Sequence, residues 1–259
     1  MGSGARCGVP RTMYNLEHFG LRDTIEAGRA IRALGQSAET MEEAARDIVD
    51  FLYKKFCVEG GTGSEFALLR CFKTHRLTEL PDDLQAVAVK SMGAMDIAPE
   101  LRCLTLLASR GELPEWNGRH HSQGHRAIPL PSVDMVRRAP MIARLVVQMG
   151  LEIEDIVRPE PSLLVDLHRK TFNVFHIEEA VGSEFVPAQH AFVIPYKVRS
   201  VLGFGGLLPS GELFAIVMFS KVRIPRETAE LFRTLALAVK LVLIPFTGKQ
   251  VFALQRAVE

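Results

Sequence analysis

Three histidines crowd into the run His120-His121-Ser122-Gln123-Gly124-His125. Imidazoles at that density could meet around a transition metal, or one of them could serve as an axial ligand to haem. A metal site needs ligands that converge in space, and no Cys or carboxylate completes a recognised motif in this run. The expectation is therefore a polar loop whose histidines are solvated or bond the backbone. A haem or metal site on His120, His121 and His125 is the alternative.

The cysteines Cys7, Cys57, Cys71 and Cys103 are widely separated and form no C-x-x-C pair. That usage fits reduced thiols in a cytoplasmic protein better than a disulfide framework, and Cys71 and Cys103 sit inside strand-like apolar runs where core packing is expected. Other enzyme signatures are absent: the chain has no P-loop, no G-x-S-x-G and no H-E-x-x-H. The run Gly203-Phe204-Gly205-Gly206 lies within a strand with no helix after it, so a bulge or a close backbone approach explains it better than phosphate binding. No catalytic residue is assigned. The aromatic residues offer binding chemistry instead. Trp116, the single tryptophan, could stack on a ligand or cover a core edge. Phe172, Phe175 and His176 would line a pocket if their segment crosses an open sheet face, and Tyr196, Arg199 and Phe204 flank a later strand. Arg199 is expected to pair with Glu184 or Glu212 at the surface.

The elements that must position these groups follow from periodicity. Residues 21–34 carry Leu21, Ile25, Ile31 and Leu34 near one helical face. Thr40-Met41-Glu42-Glu43 is a capping box, followed by Met41, Ala45, Ile48, Leu52 and Phe56 at helical spacing. The turn-rich residues 59–64 lead into a strand at 66–72 that is apolar on both faces. Pro81-Asp82-Asp83 starts a helix, and residues 101–107 form the next strand. Residues 110–131 are rich in Gly, His and Pro and read as a long loop or lid, with a short strand at Ala127-Ile128. Ser132 opens a helix expected to run until Gly150 stops it. Residues 171–177 are a candidate strand. Residues 198–207 and 213–219 are strands joined by the hairpin turn Pro209-Ser210-Gly211-Glu212. Pro225 then starts a helix that Pro245 ends.

Composition bounds the partners. The chain has 259 residues, 47% of them hydrophobic and 24% charged, which is the makeup of a folded globular protein. A net charge of +1 leaves no global basic field for a nucleic-acid backbone or an anionic membrane. The most apolar stretch, 231–246, is interrupted by Arg233 and Lys240, so no membrane span is expected. Residues 1–10 lack a secretory apolar core, and a cytoplasmic location is expected. The element order indicates α+β architecture: a central antiparallel sheet with helices on one face and a long lid segment on the other.

That order resembles a GAF domain, a sensory fold related to PAS domains. The likeness is carried by Val198-Arg199-Ser200-Val201-Leu202-Gly203-Phe204, by the hairpin from Leu208 through Val217, and by the Leu- and Ala-rich helix from Pro225 through Leu243. The resemblance implies a sensory or regulatory module of bacterial signalling proteins that binds a small ligand or cofactor and passes the signal to an output domain such as a histidine kinase or cyclase. It also implies a homodimer through the terminal helices. Some GAF-like proteins reduce methionine sulfoxide with cysteines, so an enzyme using Cys57, Cys71 and Cys103 is a further alternative. The middle of the chain, about 111–189, is longer than a compact GAF domain requires. A ligand pocket is expected between the sheet and residues 116–149, with Trp116, His125, Phe175 and Tyr196 as walls. The expected division is a flexible tail at 1–15, N-terminal helices at 16–58, a GAF-like domain at 59–246 and a linker or stub at 247–259.

Overall fold

A computed structural model describes residues 13–58, 63–122, 124–159, 172–249 and 251–253. Most of the expected tail, Cys7, Gln123, Thr171 and the end of the expected linker lie outside the described residues.

Six strands form one antiparallel sheet: β1 (Phe66–Arg76), β2 (Arg102–Gly111), β3 (Ala127–Leu130), β4 (Phe175–Ile177), β5 (Ser200–Leu207) and β6 (Leu213–Ser220), in the order β3-β2-β1-β6-β5-β4. The four strands expected from apolar runs are therefore the four central ones. Both faces of β1, β5 and β6 are buried along nearly their whole length, which is why their sequences are continuous apolar runs instead of alternating ones. The β5–β6 hairpin closes with Leu208 N–H donating to Glu212 O at 2.9 Å, and Gly211 takes the left-handed conformation its turn requires (φ 89°).

One face of the sheet is covered by α1 (Leu21–Leu34), α2 (Met41–Lys55) and α7 (Arg226–Leu243). The capping box of α2 forms as read: Thr40 Oγ1 accepts from Glu43 N–H at 3.2 Å, and Glu43 Oε2 accepts from Thr40 N–H at 3.3 Å. Phe56, Phe66, Phe204, Phe214 and Phe232 are fully buried in this layer, each contributing roughly 1.5–3 kcal/mol relative to an exposed ring. Gly35, at the end of α1, lets the chain approach α7 closely, since a Cβ there would stand 2.5 Å from Val242 Cγ1.

The opposite face lies under a second apolar layer built by α4 (Val133–Arg137), α5 (Pro140–Gln148), α6 (Ile153–Val157) and the segment from Phe172 to Val198. The single helix expected from Ser132 to Gly150 is in fact two, α4 and α5. Pro140 has no N–H to continue the first helix and sits instead at the start of the second. A third, smaller apolar cluster packs α3 (Asp82–Met92) against the β2–β3 edge.

The glycine run of β5 shows close backbone approach. A Cβ at Gly205 would stand 2.0 Å from Phe214 O, and the β5–β6 register is unbroken, so no bulge is present there. The irregularities among the described strands fall instead between Cys71 and Phe72, where β2 carries an extra residue opposite β1, and between Phe66 and Leu68, where β1 carries one opposite β6.

Candidate functional site

A cavity of about 640 Å³ lies between the sheet and its second layer. Its floor is the lid-facing side of the central strands, with Leu68, Arg70 and Phe72 of β1 and Ala215 and Val217 of β6. Met141, Ile142 and Leu145 of α5 close it from above. Strand alternation decides which residues face it: Leu69 and Cys71 point into the helical layer, and their neighbours Leu68, Arg70 and Phe72 point under the lid.

An aromatic wall stands on one side. Trp116 and Tyr196 meet edge-on with ring centroids 4.6 Å apart, and Phe192 joins both while packing on Phe219 at 5.1 Å. Gly111 is what admits the indole, because a Cβ there would lie 2.8 Å from Trp116 Cε3 and 2.9 Å from Ala67 O.

Few polar groups reach the cavity, and the most unusual is Arg70. It is 8% exposed. Its Nη2 donates to Ser122 Oγ at 3.0 Å, and its buried Nε has no hydrogen-bond partner. Burial lowers its pKa to about 10, with no carboxylate acting against that shift. His125 lines the same cavity on a left-handed backbone (φ 55°). Desolvation and then the Arg70 cation lower its pKa, favouring the neutral imidazole. Ala188, also left-handed (φ 59°), is a third wall residue. Of the three non-glycine residues with positive φ among those described, two thus border the cavity, where backbone strain is more often found than in plain scaffold.

Of the four expected wall residues, Trp116, His125 and Tyr196 come together around the cavity, and Phe175 does not. Phe175 faces the same side of the sheet but is fully buried over Gly203, where a Cβ would stand 3.1 Å from its ring. It fills the space between β5 and α5 and leaves none for a ligand. Phe172 packs in the same way over Gly206, and His176 Nε2 donates to Ile224 O at 3.0 Å. Arg199 is exposed and forms no ion pair with Glu184 or Glu212.

The histidine cluster disperses. His120 Nε2 accepts from Arg119 Nη2 at 3.0 Å, and His121 Nδ1 donates to Asn117 O at 3.0 Å. Only His125 reaches the cavity, and among the described residues no three His, Cys, Asp or Glu side chains are placed to share a metal ion. Arg119 explains the dispersal. Its side chain is 1% exposed and bridges Glu42 of α2 at 2.9 Å to Asp83 of α3 at 3.3 Å, pinning this part of the loop to those two helices.

The cysteines are also apart. Cys71 belongs to the helical layer and Cys103 to the small cluster under α3. Burial raises their pKa values to about 12 and about 11, so neither is a thiolate near neutral pH. Cys57 is half-buried, and its thiol is raised by desolvation. Among the described residues no helix is long and apolar enough to cross a membrane.

No family model and no curated protein matches the chain. Among solved structures it is similar to the GAF domain from Acinetobacter phosphoenolpyruvate-protein phosphotransferase, with 11% identity and a TM-score of 0.42, over 89% of this chain and 97% of that one. It is similar to the chromophore-binding domain of an unusual bacteriophytochrome from R. palustris, with 6% identity and a TM-score of 0.38, over 88% of this chain and 63% of that one. A third likeness is to the Stigmatella aurantiaca phytochrome photosensory core module, with 12% identity and a TM-score of 0.38, over 91% of this chain and 39% of that one. The chain therefore spans less than two thirds of both phytochrome chains.

Proposed function

We propose that this chain is a GAF-like sensory or regulatory module that takes a small ligand into the cavity between its sheet and lid. The observation that carries this reading is the cavity itself. About 640 Å³ is within the range of small-molecule sites, and an apolar lining with a few polar groups is their usual chemistry. In this reading Trp116, His125 and Tyr196 are ligand-contacting residues, Arg70 joins them, and Phe175 is support.

The sheet is the natural relay. The strands that floor the cavity on one side carry Cys71, Phe214 and Ile216 into the helical layer on the other. A lid that closes on a ligand would bias the packing of α1 and α7, and so an output domain such as a histidine kinase or cyclase on the same or another chain. A bacterial, cytoplasmic signalling role and a homodimer through the terminal helices belong to the same proposal. Exposed Leu21 and Ile25 on α1 and Leu237 and Leu241 on α7 support the dimer, because such side chains are costly in water unless covered.

A thermal-shift panel of small metabolites, run beside an absorption spectrum of the purified protein, tests the proposal. A ligand that raises the melting temperature in a concentration-dependent way, and loses that effect when Trp116 and Tyr196 are replaced, is the expected result. A panel spanning anionic, neutral and cationic compounds without one stabilising member, on protein free of any bound chromophore, would overturn it.

A further inference from the structure

We propose that the ligand is a small apolar carboxylic acid, its hydrocarbon body held between β1, β6 and α5 and its carboxylate received by the Arg70 guanidinium. The inference rests on the cavity being a ligand site and goes on to name the chemistry that site selects.

The reason is a charge without a counterion. A guanidinium withdrawn from water is costly unless a carboxylate or several acceptors replace its hydration. The other buried arginine near the lid, Arg119, obeys that rule with two carboxylates at 2.9 and 3.3 Å. Arg70 is nearly as buried, but it has one neutral hydroxyl, Ser122 Oγ, and an orphan Nε. It also stands in a cavity walled mostly by aliphatic and aromatic side chains. The planar guanidinium fork matches a carboxylate through two parallel hydrogen bonds, and Nε is one of the donors such a pair uses.

Charge counting narrows the class. His125, beside Arg70, is held toward its neutral form, so the wall offers one positive charge to one negative charge. Glu115, also on the wall, is exposed to solvent and so is not part of the buried lining around Arg70. A monoanion with an apolar body satisfies both halves of the cavity. A cation would meet Arg70 with repulsion, and a neutral head, even one whose oxygen accepts from Nε, would leave the buried charge without a counterion.

Trp116 is the single tryptophan and part of the wall, so its emission reports occupancy. The full chain is titrated with octanoate, octan-1-ol and octylamine, which share a hydrocarbon body and differ at the head. Octanoate is expected to bind at least about tenfold more tightly than octan-1-ol, the usual scale of a desolvated charge-assisted hydrogen bond, with octylamine weakest. In R70M, checked for folding by far-UV circular dichroism, octanoate should lose at least about tenfold while octan-1-ol is unchanged or tighter. Octan-1-ol or octylamine binding the unaltered chain as tightly as octanoate would overturn the carboxylate assignment and leave the cavity as a ligand site. No change in emission with any of the three would overturn the ligand site as well. The order of the three ligands on the unaltered chain decides the matter even if R70M does not fold.

Discussion

Arg70 on the central strand and Ser122 in the lid loop, 52 residues apart in sequence, meet in a 3.0 Å hydrogen bond from Nη2 to Oγ. This contact ties the floor of the cavity to its cover, and it leaves a buried cation only partly satisfied. Such an arrangement should cost stability in the absence of ligand. Replacing a poorly paired buried charge with an apolar side chain of similar length is often neutral or stabilising by about 1–4 kcal/mol. R70M is therefore expected to match or exceed the parent chain in urea unfolding without ligand. A loss of stability greater than 2 kcal/mol on the order-of-magnitude scale of a broken buried pair would show that Arg70 already has its partner.

Glu65 gives a pH-dependent prediction. It is 1% exposed and accepts from Leu16 N–H at 2.9 Å, and desolvation pushes its pKa up to about 7 despite that hydrogen bond. Because the folded pKa lies above the unfolded one, the folded state holds the extra proton between about pH 4.5 and 7. This contribution is fully present below that window and is lost as pH rises through it. E65Q keeps an acceptor for Leu16 and removes the titration. The stability of the parent chain relative to E65Q should fall on the order of 3 kcal/mol from pH 4.5 to 7.5. Using the difference between the two proteins cancels His75, whose buried imidazole has a lowered pKa and acts in the opposite sense below its unfolded pKa. A difference that is flat with pH would refute the assignment.

The Gly205 approach is testable by one methyl group. A Cβ 2.0 Å from Phe214 O cannot be accommodated without separating β5 from β6. Gly205→Ala should cost about 3 kcal/mol or more. Gly63→Ala, with nothing within 4 Å of the new atom, should change stability by no more than about 0.5 kcal/mol. Chemical denaturation of the pair separates the two; equal effects would contradict the strand packing.

Assembly is read from exposed leucines. Leu237 and Leu241 are 58% and 49% exposed on α7, although α1 covers much of that helix from within the same chain. The double substitution Leu237→Glu with Leu241→Glu should convert a dimer into a monomer in analytical ultracentrifugation while leaving the circular dichroism spectrum intact. A parent chain that sediments as a monomer at micromolar concentration would remove the dimer from the proposal.

The sheet was legible because its strands leave strong local marks. The hairpin turn around Gly211 and the unbroken apolar runs of β1, β5 and β6 need no long-range information. The lid was harder. Ser132 marks a helix start and Ile142, Leu145, Val146 and Met149 keep a helical period up to Gly150, so the pattern suggests one helix while the missing N–H of Pro140 makes two. Trp116 and His125 could be nominated from an unusually long, polar, aromatic-bearing segment, and Tyr196 from its place just ahead of β5. Phe175 was indistinguishable from them, because which of two aromatic residues fills space over a glycine depends on strand pairing. Arg70 was missed, though its signal was present: a lone guanidinium inside a strand apolar on both sides has no local means of staying solvated. A polar loop with backbone-bonded histidines was the expectation for His120 to His125; what was not legible is the contact that holds that loop, since it depends on Arg119 finding Glu42 and Asp83, residues 77 and 36 positions away.

The most direct test of the central claim is a crystal structure of the chain grown with octanoate. Continuous density for the hydrocarbon chain between β1 and α5, bordered by Trp116 and Tyr196, with the carboxylate beside Arg70, is the predicted result. The same crystals with only water in that space, or with octanoate bound solely at the outer surface, would contradict it.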